Sequence, residues 1–345
     1  MADRIQVGVI TQENGPHLSA YLEALRDCDE AAGVALADAS GANEEAAKTA
    51  LGGKLSGVYR DTGAMLKAAR PALTLVTMEA ALAPPQIEAA LDAGSHVLAE
   101  KPSCVRAADF AALVHKAQSK HLQIMLAFAN RLHAPVQEAK RLAAAGKLGR
   151  LYGVEMHLVA DQTRLQSPAY HRTWFAHKDR AGGGNLIWLG IHWIDMAQYI
   201  LGSNISEVAG FSENVGGQPI DVEDAASFAL KFDGGGVGTL ISGYFLDRGY
   251  HSHLQIWGER GWLRVAATEE QPLEWYSRQG TEPPKIERFE YPKGERGYTP
   301  FVQACVRFAA GKQPPPVTSE ESLHVLKTVF ACYDAAKTGQ TQRVT

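Results

Sequence analysis

"VGVITQENGPH", Val7–His17, joins an apolar strand to a polar turn and the start of a helix. That order, at the head of a chain, is the opening unit of a doubly wound parallel sheet. The turn is where a dinucleotide-binding protein places its glycines, yet here the places hold Thr11, Glu13 and Pro16. The stretch therefore predicts a fold while leaving open what the turn holds.

Reading outward, "RIQVGVI" is the first strand. Pro16 is expected inside the first turn of the helix "PHLSAYLEALRD", where its missing N–H costs nothing. "GVALADA" is a second strand, ending at Asp38, and "NEEAAKTAL" the next helix. "PALTLVTM" and "SHVLAE" read as buried strands separated by the helix "PPQIEAALDAG" with its terminal glycine. The helix "AADFAALVHKAQSK" leads to "LQIMLAF". The alternation predicts roughly six β-α repeats over the first ~130 residues, one doubly wound α/β domain.

The period then changes. After the helix "APVQEAKRLAAAGKLG" come "LYGVEMHLVA", "EVAGFSENV", "ASFALKFD", "GVGTLISGYFL", "SHLQIWG" and "GWLRVAA". They are strand-length runs joined by short turns such as Asp233–Gly236, the pattern of an antiparallel sheet. One helix, "GNLIWLGIHWIDMAQYILG", interrupts them. Thr318 and Glu321 form a capping box before "SLHVLKTVFACYDAAKTG", which Gly339 closes.

With 345 residues, 46% of them apolar, the chain is long enough for two domains. The expected boundaries are 1–128, then 129–318, then a C-terminal helix over 319–345 packing back on the body. A net charge of -4 without basic runs argues against nucleic acid and anionic membranes. Cys28, Cys104, Cys305 and Cys332 lie far apart without metal-ligand spacing, and read as buried thiols of a reducing compartment. The first strand begins within a few residues of Met1, which leaves no room for a signal peptide. No apolar stretch approaches the ~20 residues of a membrane helix. The expectation is a soluble, cytoplasmic protein.

Three stretches carry chemistry. Glu100-Lys101-Pro102 follows the strand "HVLA", at the strand end where open α/β sheets bind ligands. Gly182-Gly183-Gly184 leads into the central helix, and Trp188, His192 and Asp195 share one face of that helix. Together with "AALDAGSHVLAEKP", "GKLGRLYGVE", "LQIWGERGWLRV" and "PPPVTSEESLHVLKTVFACYDAAKTGQ", the chain resembles the glucose–fructose oxidoreductase / inositol dehydrogenase / MocA (Gfo/Idh/MocA) family of sugar and cyclitol dehydrogenases. The resemblance implies a Rossmann-type dinucleotide-binding domain and then an α+β domain with a large, mostly antiparallel sheet. It also implies NAD as cofactor, with Lys101 hydrogen-bonding the reacting hydroxyl and His192 shuttling its proton. A base near neutral pKa beside a cation suits that step. Asp195 is placed with them, as a residue that fixes the helix or His192.

The departures are informative. The family has an acidic residue four positions before the histidine, where this chain has Trp188; a carboxylate there would orient the imidazole. Trp188 reads either as core or as an aromatic platform for a sugar or aryl ring. In the opening turn, Thr11 is expected to resist a left-handed turn by ~1–2 kcal/mol. Pro16 offers no N–H to a phosphate. Glu13 would repel a pyrophosphate by roughly 4 kcal/mol at ~4 Å. After "LTLVT", where the family usually has Thr-Pro-Asn and a nearby His, stand Met78, Glu79, Ala80 and Ala83. Asp38 remains, placed for the ribose hydroxyls and against a 2′-phosphate. Gly15 and the N–H groups from Gln12 onward offer a phosphate cradle in a shifted register. Thr11, Gln12, Gly15, Asp38, Met78, Glu100 and Lys101 are thus the expected cofactor contacts.

Tyr170, Arg172 and Trp174 lie in "YHRTWFAHKDRAGGG", a segment that borders substrate in this family, and Arg131 and His133 in "NRLH" match a family segment beside the nicotinamide pocket, from which either could contact substrate. His171 lies in the first of these runs. His251 and His253 alternate on a strand without a third ligand, so no metal is expected. The first functional reading is an NAD-dependent oxidoreductase moving a hydride between nicotinamide and a secondary hydroxyl or ketone of a sugar, cyclitol or glycoside. The alternatives are a lyase or glycoside hydrolase keeping NAD as an internal redox group, and a non-catalytic sugar-binding or scaffold protein without cofactor. Tyr, Trp and Phe on the outer face of the second sheet suggest a homo-oligomer through that face.

Overall fold

A computed structural model describes residues 4–266, 271–280, 283–290 and 297–345. In chain order the first elements are β1 (Ile5–Thr11), α1 (Leu18–Arg26), β2 (Ala31–Asp38), α2 (Glu44–Leu51), β3 (Leu55–Tyr59), α3 (Thr62–Ala69), β4 (Leu73–Thr77), α4 (Ala83–Asp92), β5 (His96–Ala99), α5 (Ala107–Ser119) and β6 (Ile124–Leu126). There follow α6 (Ala134–Ala144), β7 (Leu151–Asp161), α7 (Lys178–Ala181), a π-helical turn (Leu186–Gly190), α8 (Ile191–Leu201), β8 (Ile205–Glu213), β9 (Ala225–Phe232), β10 (Val237–Leu246), β11 (Tyr250–Gly258) and β12 (Gly261–Val265). The chain closes with β13 (Leu273–Ser277), β14 (Ile286–Arg288), α9 (Tyr298–Ala309), α10 (Ser319–Thr338) and β15 (Gln342–Arg343).

Two compact units form. The first holds the described residues of 4–129, 179–182 and 297–323. Its six parallel strands are ordered β3-β2-β1-β4-β5-β6, so the chain runs outward in opposite directions from β1 and β4. Covered on both faces, the strands are continuous apolar runs: Val7, Val9, Val34, Leu36, Leu73, Val97 and Leu98 are fully buried. β3 and α3 escape the sequence reading because "LSGVY" is a half-buried strand without clear alternation. α3 nonetheless has an N-cap, the Asp61 carboxylate accepting from Ala64 N at 2.7 Å.

Pro16 is not in the first turn of α1. His17 takes a left-handed φ of 55° at the N-cap, so the helix begins only at Leu18. Residues 297–318, assigned by linear reading to the second domain, group with the first unit because α9 packs on α1, β1, β4 and β5. The capping box before α10 forms in both directions: Thr318 N donates to Glu321 (2.8 Å) and Glu321 N to Thr318 Oγ1 (3.2 Å).

The second unit holds the described residues of 130–178, 183–290 and 324–345. Its nine-stranded sheet is ordered β14-β13-β12-β11-β7-β10-β9-β8-β15, antiparallel except for the β7–β10 pair. Helices α6 and α8 pack on the face built from Val154, Met156, Leu240, Leu254 and Ile256. The opposite face presents Phe211, Val237, Phe245 and Trp257 to solvent. β13, β14, β15 and α9 were not expected; Ala267, the end of the last expected strand, lies outside the described residues. Among the described residues no helix is long and apolar enough to cross a membrane. All four cysteines are free and buried.

Candidate functional site

Within the first unit, chemistry gathers at the carboxyl ends of β1, β4 and β5. Residues 12–15 form a β-turn closed by Gly15 N on Gln12 O (3.0 Å). The left-handed residue is Asn14 (φ 57°), a type that tolerates that region, so Thr11 carries no turn strain, contrary to the sequence expectation. Thr11 instead ends β1 and donates its hydroxyl to Thr77 O (3.0 Å), tying β1 to β4. A Cβ on Gly15 would come 2.2 Å from Thr11 Oγ1, which is why a glycine stands there. Its own N–H is spent on the turn. The N–H groups of Glu13 and Asn14 have no acceptor among the described residues, and a nucleotide phosphate fits that pair.

Asp38 is buried at the end of β2. Its Oδ1 accepts from Ser40 N (3.0 Å) and Oγ (2.6 Å), and its Oδ2 from Asn43 N (3.0 Å) and Nδ2 (2.9 Å). Burial pushes this carboxyl up, but the Ser40 and Asn43 donors outweigh it and hold it below its usual range. All four acceptor positions are thus engaged locally, fixing the turn into α2. Met78 is buried just after β4.

Glu100, fully buried, is a junction. Its Oε1 accepts from Lys101 N (3.0 Å) and lies 4.0 Å from Lys101 Nζ. Its Oε2 stands 2.8 Å from His17 Nδ1 and accepts from the Tyr21 hydroxyl. The Tyr298 hydroxyl is 3.1 Å from the same His17 nitrogen. Burial raises the Glu100 carboxyl, yet His17, Lys101 and Tyr21 together hold it low, while burial beside Glu100 drives Tyr21 far up. Lys101 is thus buried with its ammonium beside the Glu100 carboxylate. His17, Tyr21 and Tyr298 were missed by sequence reasoning. The last lies 281 residues from His17.

Within the second unit, Glu223 organises the glycine run. Its carboxylate accepts from Gly184 N (2.7 Å), Leu186 N (2.9 Å) and the Tyr333 hydroxyl (2.9 Å). Burial raises its pKa despite these donors. A Cβ on Gly183 would sit 2.1 Å from Tyr333 Oη, and one on Gly184 1.9 Å from Glu223 O. The glycines are thus required by close packing. The helix start is π-helical, a wider turn than the regular helix expected, and Trp188 lies on it. Trp188 meets Phe175 (4.6 Å between ring centroids) and Trp174 (5.7 Å) edge-on, forming a three-ring aromatic cluster. His192 is half-buried one turn on.

Asp195 is buried and paired with Arg131: Nη2–Oδ1 is 2.7 Å and Nε–Oδ1 2.9 Å. The pair ties α8 to the segment before α6, and the Arg131 guanidinium lies 4.7 Å from the Tyr199 ring centre. Tyr170 packs against the cluster Ala160, Leu165 and Tyr244, and burial pushes its hydroxyl up to about 12. Arg172 is exposed. His171 bonds Leu165 O (2.6 Å). His253 stacks on His157 at 5.1 Å, with Glu155 3.3 Å away. Among the described residues no group of three His, Cys, Asp or Glu is placed to hold a metal ion.

Family comparison meets this geometry. Residues 7–128 match an oxidoreductase family with an NAD-binding Rossmann fold, and residues 136–264 match the GFO/IDH/MocA C-terminal domain. The chain belongs to the Gfo/Idh/MocA oxidoreductase family. It is 30% identical to dTDP-3,4-didehydro-2,6-dideoxy-alpha-D-glucose 3-reductase of Saccharopolyspora spinosa, a match spanning 54% of this chain and 53% of that one. It is 26% identical to D-apiose dehydrogenase of Paraburkholderia graminis, over 93% and 85% of the two chains. The fold is shared with a levoglucosan dehydrogenase solved with NADH and L-sorbose, at a TM-score of 0.86 and 19% identity over 99% of each chain.

Proposed function

We propose that the protein moves a hydride between NAD(H) and a secondary hydroxyl or ketone of a sugar, cyclitol or glycoside. The observation that carries this reading is Lys101, buried against Glu100 at the carboxyl end of β5 in a chain of this family. NAD(H), when bound, supplies the hydride acceptor or donor. The turn 12–15 would hold its phosphates and the β2 end its adenosine ribose, where the Asp38 charge opposes a 2′-phosphate. Lys101 hydrogen-bonds the substrate oxygen, and His192 holds or releases the hydroxyl proton. Trp188, with Phe175 and Trp174, offers an aromatic surface to the sugar, and Asp195 positions its helix through Arg131. Tyr170 and Arg172 are assigned to the border of the substrate site.

Self-association through the outer sheet face belongs to the same reading. Phe211 is 74% exposed there and, with Val215, Ile241 and Phe245, lines an apolar hollow of about 150 Å³. Phe211→Glu should then yield a smaller species in sedimentation. Buried, unpaired thiols support a cytoplasmic setting. The activity is tested by incubating the protein with NAD⁺ and a panel of sugars, inositols and methyl glycosides while following NADH absorbance. Turnover supports the reading, and its absence across the panel opposes it.

A further inference from the structure

We propose that Arg180 is the cation of the cofactor pyrophosphate site, held ready on Glu79. The proposal rests on the reading that the chain binds NAD(H). It begins from a charge deficit at the point where the parallel sheet divides. The crevice between the ends of β1 and β4 is where a doubly wound sheet takes an anionic nucleotide. Here the turn carries an exposed glutamate, Glu13, and offers backbone N–H groups such as those of Glu13 and Asn14. Glu79 adds a second carboxylate two residues beyond β4, and its N–H bonds Gln12 Oε1 at 3.1 Å, so it abuts the turn. Two carboxylates and no cation would repel a dianion.

The cation comes from outside the segment that matches the nucleotide-binding family. Residues 179–182 group with the first unit, pinned by Ala81 N on Arg180 O at 3.1 Å. Arg180 Nε donates to Glu79 Oε1 (2.8 Å) and Nη2 to Oε2 (2.5 Å). The Glu79 side chain is 6% exposed but that of Arg180 is 42% exposed, so the arginine side chain reaches solvent where the carboxylate does not. A planar guanidinium with five donors binds phosphate as readily as carboxylate. Glu79 thus occupies the fork until a phosphate takes it, and the segment that leads into the glycine run carries the charge the turn lacks.

Binding of NADH, ADP and AMP by calorimetry tests this without any substrate. Arg180→Gln should weaken NADH and ADP about tenfold or more, weaken AMP less, and flatten the salt dependence of ADP binding. Arg180→Lys, which keeps the charge but not the fork, should fall between. Glu79→Gln, which keeps an acceptor but removes the competing charge, should tighten ADP severalfold. ADP affinity within twofold of wild type in Arg180→Gln would overturn the proposal. Equal weakening by Arg180→Gln and Glu79→Gln would do the same, since it marks a merely structural latch. Failure of the wild-type protein to bind NADH would instead remove the reading beneath it.

Discussion

Asp195 and Arg131 form a buried ion pair, joined by two N–H donors from one guanidinium to one carboxylate oxygen at 2.7 and 2.9 Å. Removing one partner leaves the other charged and dry, which typically costs about 3–5 kcal/mol. Asp195→Ala should lose that much in urea unfolding, whereas the double change Arg131→Met, Asp195→Leu should recover most of it. If Asp195→Ala keeps full stability and loses only turnover, the carboxylate acts in the chemistry rather than in holding α8.

Gly184→Ala tests why the glycine run exists. The new Cβ would meet Glu223 O at 1.9 Å, a backbone atom that cannot swing aside. A loss of about 3 kcal/mol is expected, in the upper range for overpacking. Gly339→Ala, with open space around it but a φ of 67°, should lose only about 1 kcal/mol. Thermal melts of the two variants decide the comparison.

How far these features were legible depends on the distance their signals travel along the chain. Strand β1, the two-way capping box at Thr318 and Glu321, and the Asp233–Gly236 turn are written in neighbouring residues, and the structure contains each of them. Glu223 lies 39 residues from the Gly184 it serves, and Glu79 lies 101 from Arg180, so no local pattern joins them. The expected strain at Thr11 failed for a local reason, because the left-handed residue of the turn is Asn14. The π-helical turn beneath Trp188 also has no period that a regular-helix reading can detect.

Acid stability should report Glu100. Its folded pKa lies below the ordinary value, so the unfolded chain binds the extra proton first as pH falls. The stabilisation is fully present above the unfolded value of about 4.3 and is lost as pH falls through the lower folded value. The wild-type unfolding midpoint should therefore drop more steeply below about pH 4.3 than that of Glu100→Gln. Parallel curves for the two proteins would assign the acid sensitivity to other carboxylates.

Glu13 is exposed and takes no left-handed φ, so its effect on the turn is one of charge alone. Glu13→Gln should tighten NADH about threefold to tenfold at low salt and less at high salt. An unchanged dissociation constant at both salt concentrations would place the pyrophosphate away from residues 12–15.

The central claim is hydride transfer to or from a sugar-type hydroxyl held by Lys101. The most direct measurement is steady-state NADH formation from NAD⁺ with D-apiose, levoglucosan, inositols and methyl glucosides, in wild type, Lys101→Ala and His192→Ala, with circular dichroism to verify folding. The account predicts turnover on at least one of these alcohols and a kcat lower by about 10²-fold or more in each folded variant. Wild-type rates in both variants, or no turnover by the wild-type protein on any of them, would contradict it.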